Sequence, residues 1–279
     1  MQEIKISVCT VSARYGGIDV NWSSLRRQTF TEWEWILCDT LYEKRKEAVR
    51  EYTKYDPRVV HIKQTPKDNK ARTWLAHAEN QAVRHAKGEL LVFVQDYIHF
   101  KPDTLEKFWN HYLVDKKRFV TGVGHQYGSP GKNDVVNREG LITLFKEPFE
   151  REPQIIVWQD PRIREDQGTF YKCMPADWEV NFASIPKQAL LDIGGFDEEY
   201  DYVGFAFDNV SVAMRAFSIG YDPYIDQSIK SYSIRHEDFF EHKEKKDYFQ
   251  DIAQFHIKRM NDIKDGLYPL RFKFLDNKE

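Results

Sequence analysis

Apolar and polar positions change period several times along the first hundred residues, and each change marks an element. Residues 5–11, 35–38 and 59–62 are short apolar runs rich in branched and aromatic side chains, and each predicts a strand. Between them the spacing predicts a helix over 22–28 that Asn21 caps, and a charged, periodic helix over 42–55 that Asp56-Pro57 closes. Over 71–86 the apolar positions Ala71, Trp74, Leu75, Ala78 and Ala82 recur at helical spacing, and Gly88 supplies the stop. Five apolar residues from Leu90 to Val94 follow without a break, the pattern of a strand buried on both faces, and a further helix begins near Asp103. Strands alternating with helices predict a parallel sheet wound with right-handed crossovers, an architecture that binds nucleotides.

The second half is less regular. Residues 122–140 are rich in glycine and polar side chains and predict a mobile loop. A strand over 179–185 leads into a helix over 187–193, opened by Pro186 and closed by Gly194-Gly195. Val210, Ala213, Met214 and Phe217 then mark an amphipathic helix over 209–219 that Gly220 ends. A strand over 221–229 and a charged helical tail over 248–265 complete the chain, which shows no internal repeat.

Composition narrows the class. The 279 residues are 41% hydrophobic and 30% charged with a formal net charge of -3 and a pI near 6.3, which argues against a chain-wide basic footprint for nucleic acid. The N-terminus leads straight into a strand-like run and the longest apolar runs are strand-sized, so neither a leader nor a membrane span is expected, and the expected location is cytoplasmic. Cys9, Cys38 and Cys173 form no CxxC pair and read as reduced thiols, the first two as small core hydrophobes. Aromatic residues make up 15%; most are expected in the core, and a surplus of Trp and Tyr also suits stacking on a sugar or base.

Candidate chemistry starts with Asp96, which ends the buried strand in "GELLVFVQDY". In open α/β sheets ligands bind beyond the carboxyl ends of the strands, so Asp96 stands where a functional acid belongs. An Asp that bonds backbone amides at a strand end fits the same spacing, and spacing alone leaves both readings open. No Walker loop is present and "ARYGGID" lacks the spaced glycines of a dinucleotide fingerprint. A bound diphosphate therefore needs another anchor, such as a divalent ion on one carboxylate. Asp208, at the start of a helix, is a plain cap or a functional acid.

Three stretches carry a family resemblance. "ISVCTVSARYGGIDVNWSSLRRQTFTEWEWILCD" has an opening strand, a Ser-Leu…Gln-Thr-Phe…Trp-Glu helix and turn, and a second strand ending in Asp39. "ARTWLAHAENQAVRHAKGELLVFVQDY" carries Asn80 and the acidic position Asp96. "FASIPKQALLDIGGFDEEYDYVGFAFDNVSVAMRAFSIGY" has a GGFDE turn followed by an Asp-led helix ending in Arg-x4-Gly, the most specific of the three. In this order they resemble the GT-A fold glycosyltransferases of family 2, over most of residues 4–236.

The resemblance implies a Rossmann-like α/β fold, a mostly parallel sheet flanked by helices. It implies a glycosyltransferase domain over 1–236, with a nucleotide-sugar-binding half (1–110) and an acceptor-binding half (111–236), and a C-terminal helical extension over 237–279. It implies inverting transfer from a nucleotide-sugar, expected to be a UDP-sugar, to a glycan or other hydroxyl, assisted by Mn2+ or Mg2+. Asp208 would be the catalytic base. Asp96 would hold metal and diphosphate, with His236 of "SIRHED" as a second ligand, and Asp39 would contact the base. Thr10, Ser12, Arg14, Arg72, Asn80 and Gln95 would complete the donor-nucleotide site, and Trp178 and Asp177 the acceptor site. The chain departs from the pattern in three places: a single carboxylate in Val94-Gln95-Asp96-Tyr97, Phe207 where an acid precedes Asp208, and Cys9-Thr10-Val11-Ser12 in the opening segment. The thinned acidic motif leaves a second reading open, a nucleotide-sugar-fold protein that binds without turnover; a third, against which the acidic charge balance argues, is an enzyme that glycosylates modified nucleic-acid bases.

Overall fold

The apolar runs of the first hundred residues lie side by side in a computed structural model that describes residues 3–66, 69–127, 156–204, 206–234 and 242–276. The strands β1 (Ile6–Ser12), β2 (Trp33–Asp39) and β3 (Val59–Lys63) and the strand β4 (Leu90–Val94) are parallel in the order β3-β2-β1-β4. Helices α1 (Ile18–Leu25), α2 (Tyr42–Tyr52) and α3 (Leu75–His85) make the crossovers. Beyond β4 come β5 (Ile98–Phe100), α4 (Thr104–Val114), β6 (Arg118–Tyr127), β7 (Ile156–Gln159), β8 (Phe170–Lys172), β9 (Phe182–Pro186), α5 (Lys187–Ile193), α6 (Tyr200–Val203), α7 (Asp208–Ser218), β10 (Asp222–Ile234) and α8 (His242–Lys264). The sheet continues β4-β9-β6-β10-β5, with β7 on β6 and β8 on β10. Because β9 runs antiparallel to both β4 and β6, the sheet is mixed, with a parallel block of four strands at one side.

Period-2 alternation divides the core between the two faces of the sheet. Cys9, Leu91 and Phe93 pack with α3, α5 and α7 on one face, whereas Ile6, Val8, Leu90 and Val92 pack with α1 and α4 on the other. All five residues of β4 are buried, as its uninterrupted apolar run requires.

Several element boundaries differ from the sequence expectation for identifiable reasons. Helix α1 starts at Ile18 after Gly17 in a left-handed conformation (φ 82°), so Asn21 lies inside the helix and caps nothing. Its amide instead donates to the carbonyls of Gln95 and Ile98 and ties α1 to the end of β4. A Cβ on Gly17 would lie 3.0 Å from the Tyr97 nitrogen, so the close approach of this turn to β4 requires glycine. Ala71 and Trp74 precede α3 rather than belonging to it, and Trp74 is exposed. Of the expected loop over 122–140, residues 122–127 are the second half of β6, and 128–140 lie outside the described residues.

The segment from Gly194 to Asp201 joins the two halves and the tail. Asn80 on α3 accepts from the Phe196 amide (2.8 Å) and donates to the Phe196 carbonyl and the Glu198 carboxylate. The Asp201 carboxylate takes the Ala76 and His77 amides and the Thr73 hydroxyl, and so caps the start of α3 from a distance in sequence. Arg215 of α7, 1% exposed, donates to the carbonyls of Ile193 and Gly195. From α8, buried Arg259 pairs with Asp197 (3.4 Å) and Glu199, and the Tyr200 hydroxyl meets His256 Nδ1 at 2.7 Å.

Candidate active site

Three parallel strands end beside one another and deliver Ser12, Asp39 and Asp96 to a common edge. Ser12 of β1 lies opposite Asp39 of β2 in the ladder. Arg45, one turn into α2, is 6% exposed and donates Nε and Nη2 to the two Asp39 oxygens at 2.7 and 2.8 Å. The same Nη2 reaches the Ser12 hydroxyl at 2.9 Å, and Ser12 in turn donates to Asp96 Oδ2 at 3.2 Å. Arg14 closes the chain: its Nη2 lies 3.2 Å from Asp96 Oδ1, while its buried Nη1 has no partner among the described residues. His61 of β3 also meets Asp39 at 2.8 Å. Burial pushes the Asp39 carboxyl up, but the hydrogen bonds from His61 and Arg45 outweigh it and hold Asp39 below the ordinary carboxylate range. The ladder Asp39–Arg45–Ser12–Asp96–Arg14 thus alternates in charge and aims one spare guanidinium nitrogen.

A second carboxylate stands at the start of α7. Asp208 is 5% exposed, and among the described residues its Oδ2 has no hydrogen-bond partner. Burial, together with the neighbouring charge of Asp201, pushes its carboxyl up to about 7, against the pull of the Asp208 and Asn209 amides at the helix start. Glu79 of α3, also buried with Oε2 unpartnered, is raised well above the usual range by burial and by the charge of Asp208. The residues leading into β9 connect the two carboxylates: the Gln95 amide donates to the Asn181 carbonyl at 3.0 Å, and the Asn209 side chain donates to the Trp178 carbonyl at 2.9 Å. Tyr97, directly after Asp96, and Phe207, directly before Asp208, both have φ 63°, a left-handed conformation unusual for bulky side chains. Backbone strain of this kind collects at functional sites.

A crevice beside Asp96 is walled by β6, β7 and β10. It is lined by Gln95, Asp96, Gln126, Trp158, Asp160 and Asn181, with Gly122 and Gly124 on its floor. Asp160 is 2% exposed and binds Arg162 through both oxygens, at 2.8 and 2.6 Å.

The structure separates the expected site residues into those at the crevice and those elsewhere. Ser12, Arg14, Gln95 and Asp96 meet at the strand ends, and Asp39 stands behind them with no solvent exposure, acting through Arg45. Thr10 does not reach the site, because it points with Val8 toward α1 and accepts from the Trp35 indole at 3.0 Å. Asn80 is fully buried and saturated by the Phe196 backbone and Glu198, which removes it from the nucleotide. Trp178 is a core residue, 0% exposed, edge-on to Phe93 and Phe119, so it offers no face to an acceptor. Asp177 accepts the Met174 amide within a short turn, and Arg72 donates to the Val203 carbonyl beside α3. His236 lies outside the described residues. Among the described residues no three His, Cys, Asp or Glu side chains stand together as a metal cage.

Sequence reading missed Arg45, His61, Glu79, Gln126 and the Trp158–Arg162 wall. Glu79 carried a signal, a charged residue within the buried alanine stripe of α3. Arg45 carried none, since its partner Asp39 lies on the preceding strand.

Comparison with known proteins agrees with this geometry. The S. aureus TarS crystal structure superposes with a TM-score of 0.55 at 15% identity, covering 83% of this chain and 37% of that one, so the chain spans well under half of TarS. A search of curated proteins by sequence finds no match. The model of the glycosyl transferase family 2 matches residues 8–176, from β1 through the Asp96 crevice to the turn before β9. That match covers more than half of the chain, which therefore belongs to glycosyl transferase family 2, with a GT-A fold.

Proposed function

We propose that the protein transfers a sugar from a nucleotide-diphosphate donor, a UDP-sugar in the first instance, to an acceptor hydroxyl with inversion, and that it does so in the cytoplasm. The observation that carries this reading is Asp208: a buried carboxyl with a free oxygen, pushed up to about 7, at a helix start where Phe207 and not Asp208 occupies the capping position. A carboxylate serving as a cap would spend that oxygen on backbone amides. With its pKa near the working pH, Asp208 can take a proton from an acceptor hydroxyl. The acceptor oxygen then bonds to the anomeric carbon from the face opposite the diphosphate, the bond from that carbon to the phosphate oxygen breaks, and the nucleoside diphosphate leaves with the electron pair.

The nucleotide would lie over the ends of β1, β2 and β4, with the unpartnered Nη1 of Arg14 toward the diphosphate. Family members generally use divalent cations with nucleotide-sugar donors. The side chains present fit an ion whose ligands are mainly phosphate oxygens and water, with Asp96 as its protein carboxylate. Such an ion, when bound, offsets charge on the departing diphosphate. Ser12 and Arg14 fix the Asp96 oxygens in place, and Arg14 contributes positive charge of its own.

Asp208→Asn tests the base. Transfer is expected to fall by about 10²- to 10⁴-fold while nucleoside diphosphate binding, followed by calorimetry, stays at the parent value. Transfer at the parent rate would remove Asp208 from the mechanism, and a parent protein that binds none of UDP, GDP, CDP or TDP would overturn the donor reading.

A further inference from the structure

Helix α7 begins without the support a helix start ordinarily has. Phe207 occupies its capping position in a left-handed conformation (φ 63°, ψ -6°), and among the described residues no side chain caps the first amides. Capping residues ordinarily lie in the extended region, and a bulky side chain in the left-handed one is strained. Ala206 before it has φ 147°, so the strain runs through both residues that lead into Asp208. The Phe207 carbonyl nevertheless accepts the Ser211 amide at 2.9 Å and sets the first turn of the helix. Asp208 does not hold this turn with Oδ2, which is unpartnered among the described residues, so the support has to come from another element.

That element is α8. His256 lays its ring on Phe207, with centroids 5.0 Å apart and planes 18° from parallel, and Phe249, two turns earlier on α8, packs against the same Phe207 ring at 5.8 Å. His256 is itself fixed: it is buried, its Nδ1 meets the Tyr200 hydroxyl at 2.7 Å, and the Tyr200 ring stands edge-on to Phe255 at 5.0 Å. Burial also lowers the pKa of the imidazole, so at neutral pH it serves as a flat ring with one hydrogen bond and brings no charge toward Asp208.

We infer that His256 is a positioning residue for the base: stacked on Phe207, it holds the strained start of α7, and with it the Asp208 carboxyl, in the orientation that proton transfer needs. This rests on the reading of Asp208 as the base, and it makes α8 part of the transfer apparatus. The test compares His256→Ala, His256→Phe and Phe249→Ala with the parent, each as the full chain. Release of nucleoside diphosphate from UDP-glucose or GDP-mannose, with water as the acceptor, gives the rate, and calorimetry with UDP or GDP gives binding. Phe249 is 56% exposed, so Phe249→Ala tests the same stack should His256→Ala fail to fold.

His256→Ala is expected to lower kcat by about 10- to 10²-fold, with donor KM and nucleoside diphosphate affinity at the parent values. Asp208 faces Asp201 of α6, Glu79 of α3 and Glu179 ahead of β9; a loosened helix start admits water that screens these charges, so the acid limb of the rate profile should also move to lower pH. His256→Phe keeps a flat ring and should restore most of kcat, and Phe249→Ala should show a smaller loss of the same kind. Parent kcat and an unmoved limb in the folded variants would overturn the inference. So would a fall in nucleotide binding and melting temperature in step with kcat, the mark of a residue that only stabilises the fold. The crystal structure of His256→Ala or Phe249→Ala gives a readout independent of turnover: Phe207 should leave the left-handed conformation, and an unchanged Phe207 and Asp208 would overturn the positioning. Failure of the parent to bind any nucleoside diphosphate would instead count against the proposed function.

Discussion

A carboxyl group buried at a helix start is pulled two ways, and in Asp208 burial wins over the amides. Because a base acts in its ionised form, kcat is expected to rise with pH and level off above about 7, falling roughly tenfold per unit on the acid side. A pH profile that is flat between 5 and 8 would dismiss the assignment. The same shift has a consequence for stability. A carboxyl raised in the folded state costs nothing while both states are protonated, and its cost grows as pH climbs from the ordinary carboxylate value through about 7. Asp208→Asn should therefore gain on the parent by a few kcal/mol between pH 4 and pH 8 in urea denaturation, on the order expected for a shift of this size. Asp39 has the opposite sign. Its depressed pKa supports the fold at neutral pH and that support is lost as pH falls through the folded value. Arg45→Ala would leave Asp39 buried without its main partner, and a loss of about 3–5 kcal/mol is expected at pH 7.

At the scale of elements, the cap of α3 comes from α6, and one carboxylate serves two purposes. Asp201 accepts the first free amides of α3 and also raises Asp208 through like charge. Asp201→Asn keeps one of the two accepting oxygens and removes the charge, so the acid limb of the rate profile should move to lower pH at a cost of about 1 kcal/mol for the lost capping bond. An unmoved limb would show that Asp201 does not act on the base. Much of this level was legible in sequence. The helix over 187–193 and the strand over 90–94 match α5 and β4, because glycine, proline and uninterrupted apolar runs are local signals. The ends of the other elements and the short strands β5, β7 and β8 were not. Their pairing partners lie far along the chain, and three or four residues carry too little pattern to declare a strand. The site divided in the same way. The end of a buried strand points to Asp96 from sequence alone, whereas Trp178 and Asn80 look like ligand contacts until packing shows them buried.

Across the whole molecule, the tail behaves as part of the core. Ile252, His256, Arg259 and Phe272 are buried, the Phe272 ring lies against the Arg215 guanidinium at 4.1 Å, and Arg84 of α3 donates to the Phe274 carbonyl. The backbone of Phe272 lies against Gly194, where a side chain on the glycine would have no room. We propose that residues 1–236 form the transferase domain with its two halves and that 237–279 extend it. Removing residues 242–279 should nonetheless yield insoluble or unfolded protein by circular dichroism, and a truncated chain with the parent melting temperature would show the tail to be dispensable. Arg259, Asn80, Arg215 and His256 all converge on the eight residues from Gly194 to Asp201, drawing in α3, α7 and α8. No helix on that face can let go without stranding a buried charge or amide on another. Unfolding should therefore be all-or-none there, and in hydrogen exchange the amides of this turn should open only with the entire chain, at the full free energy of unfolding.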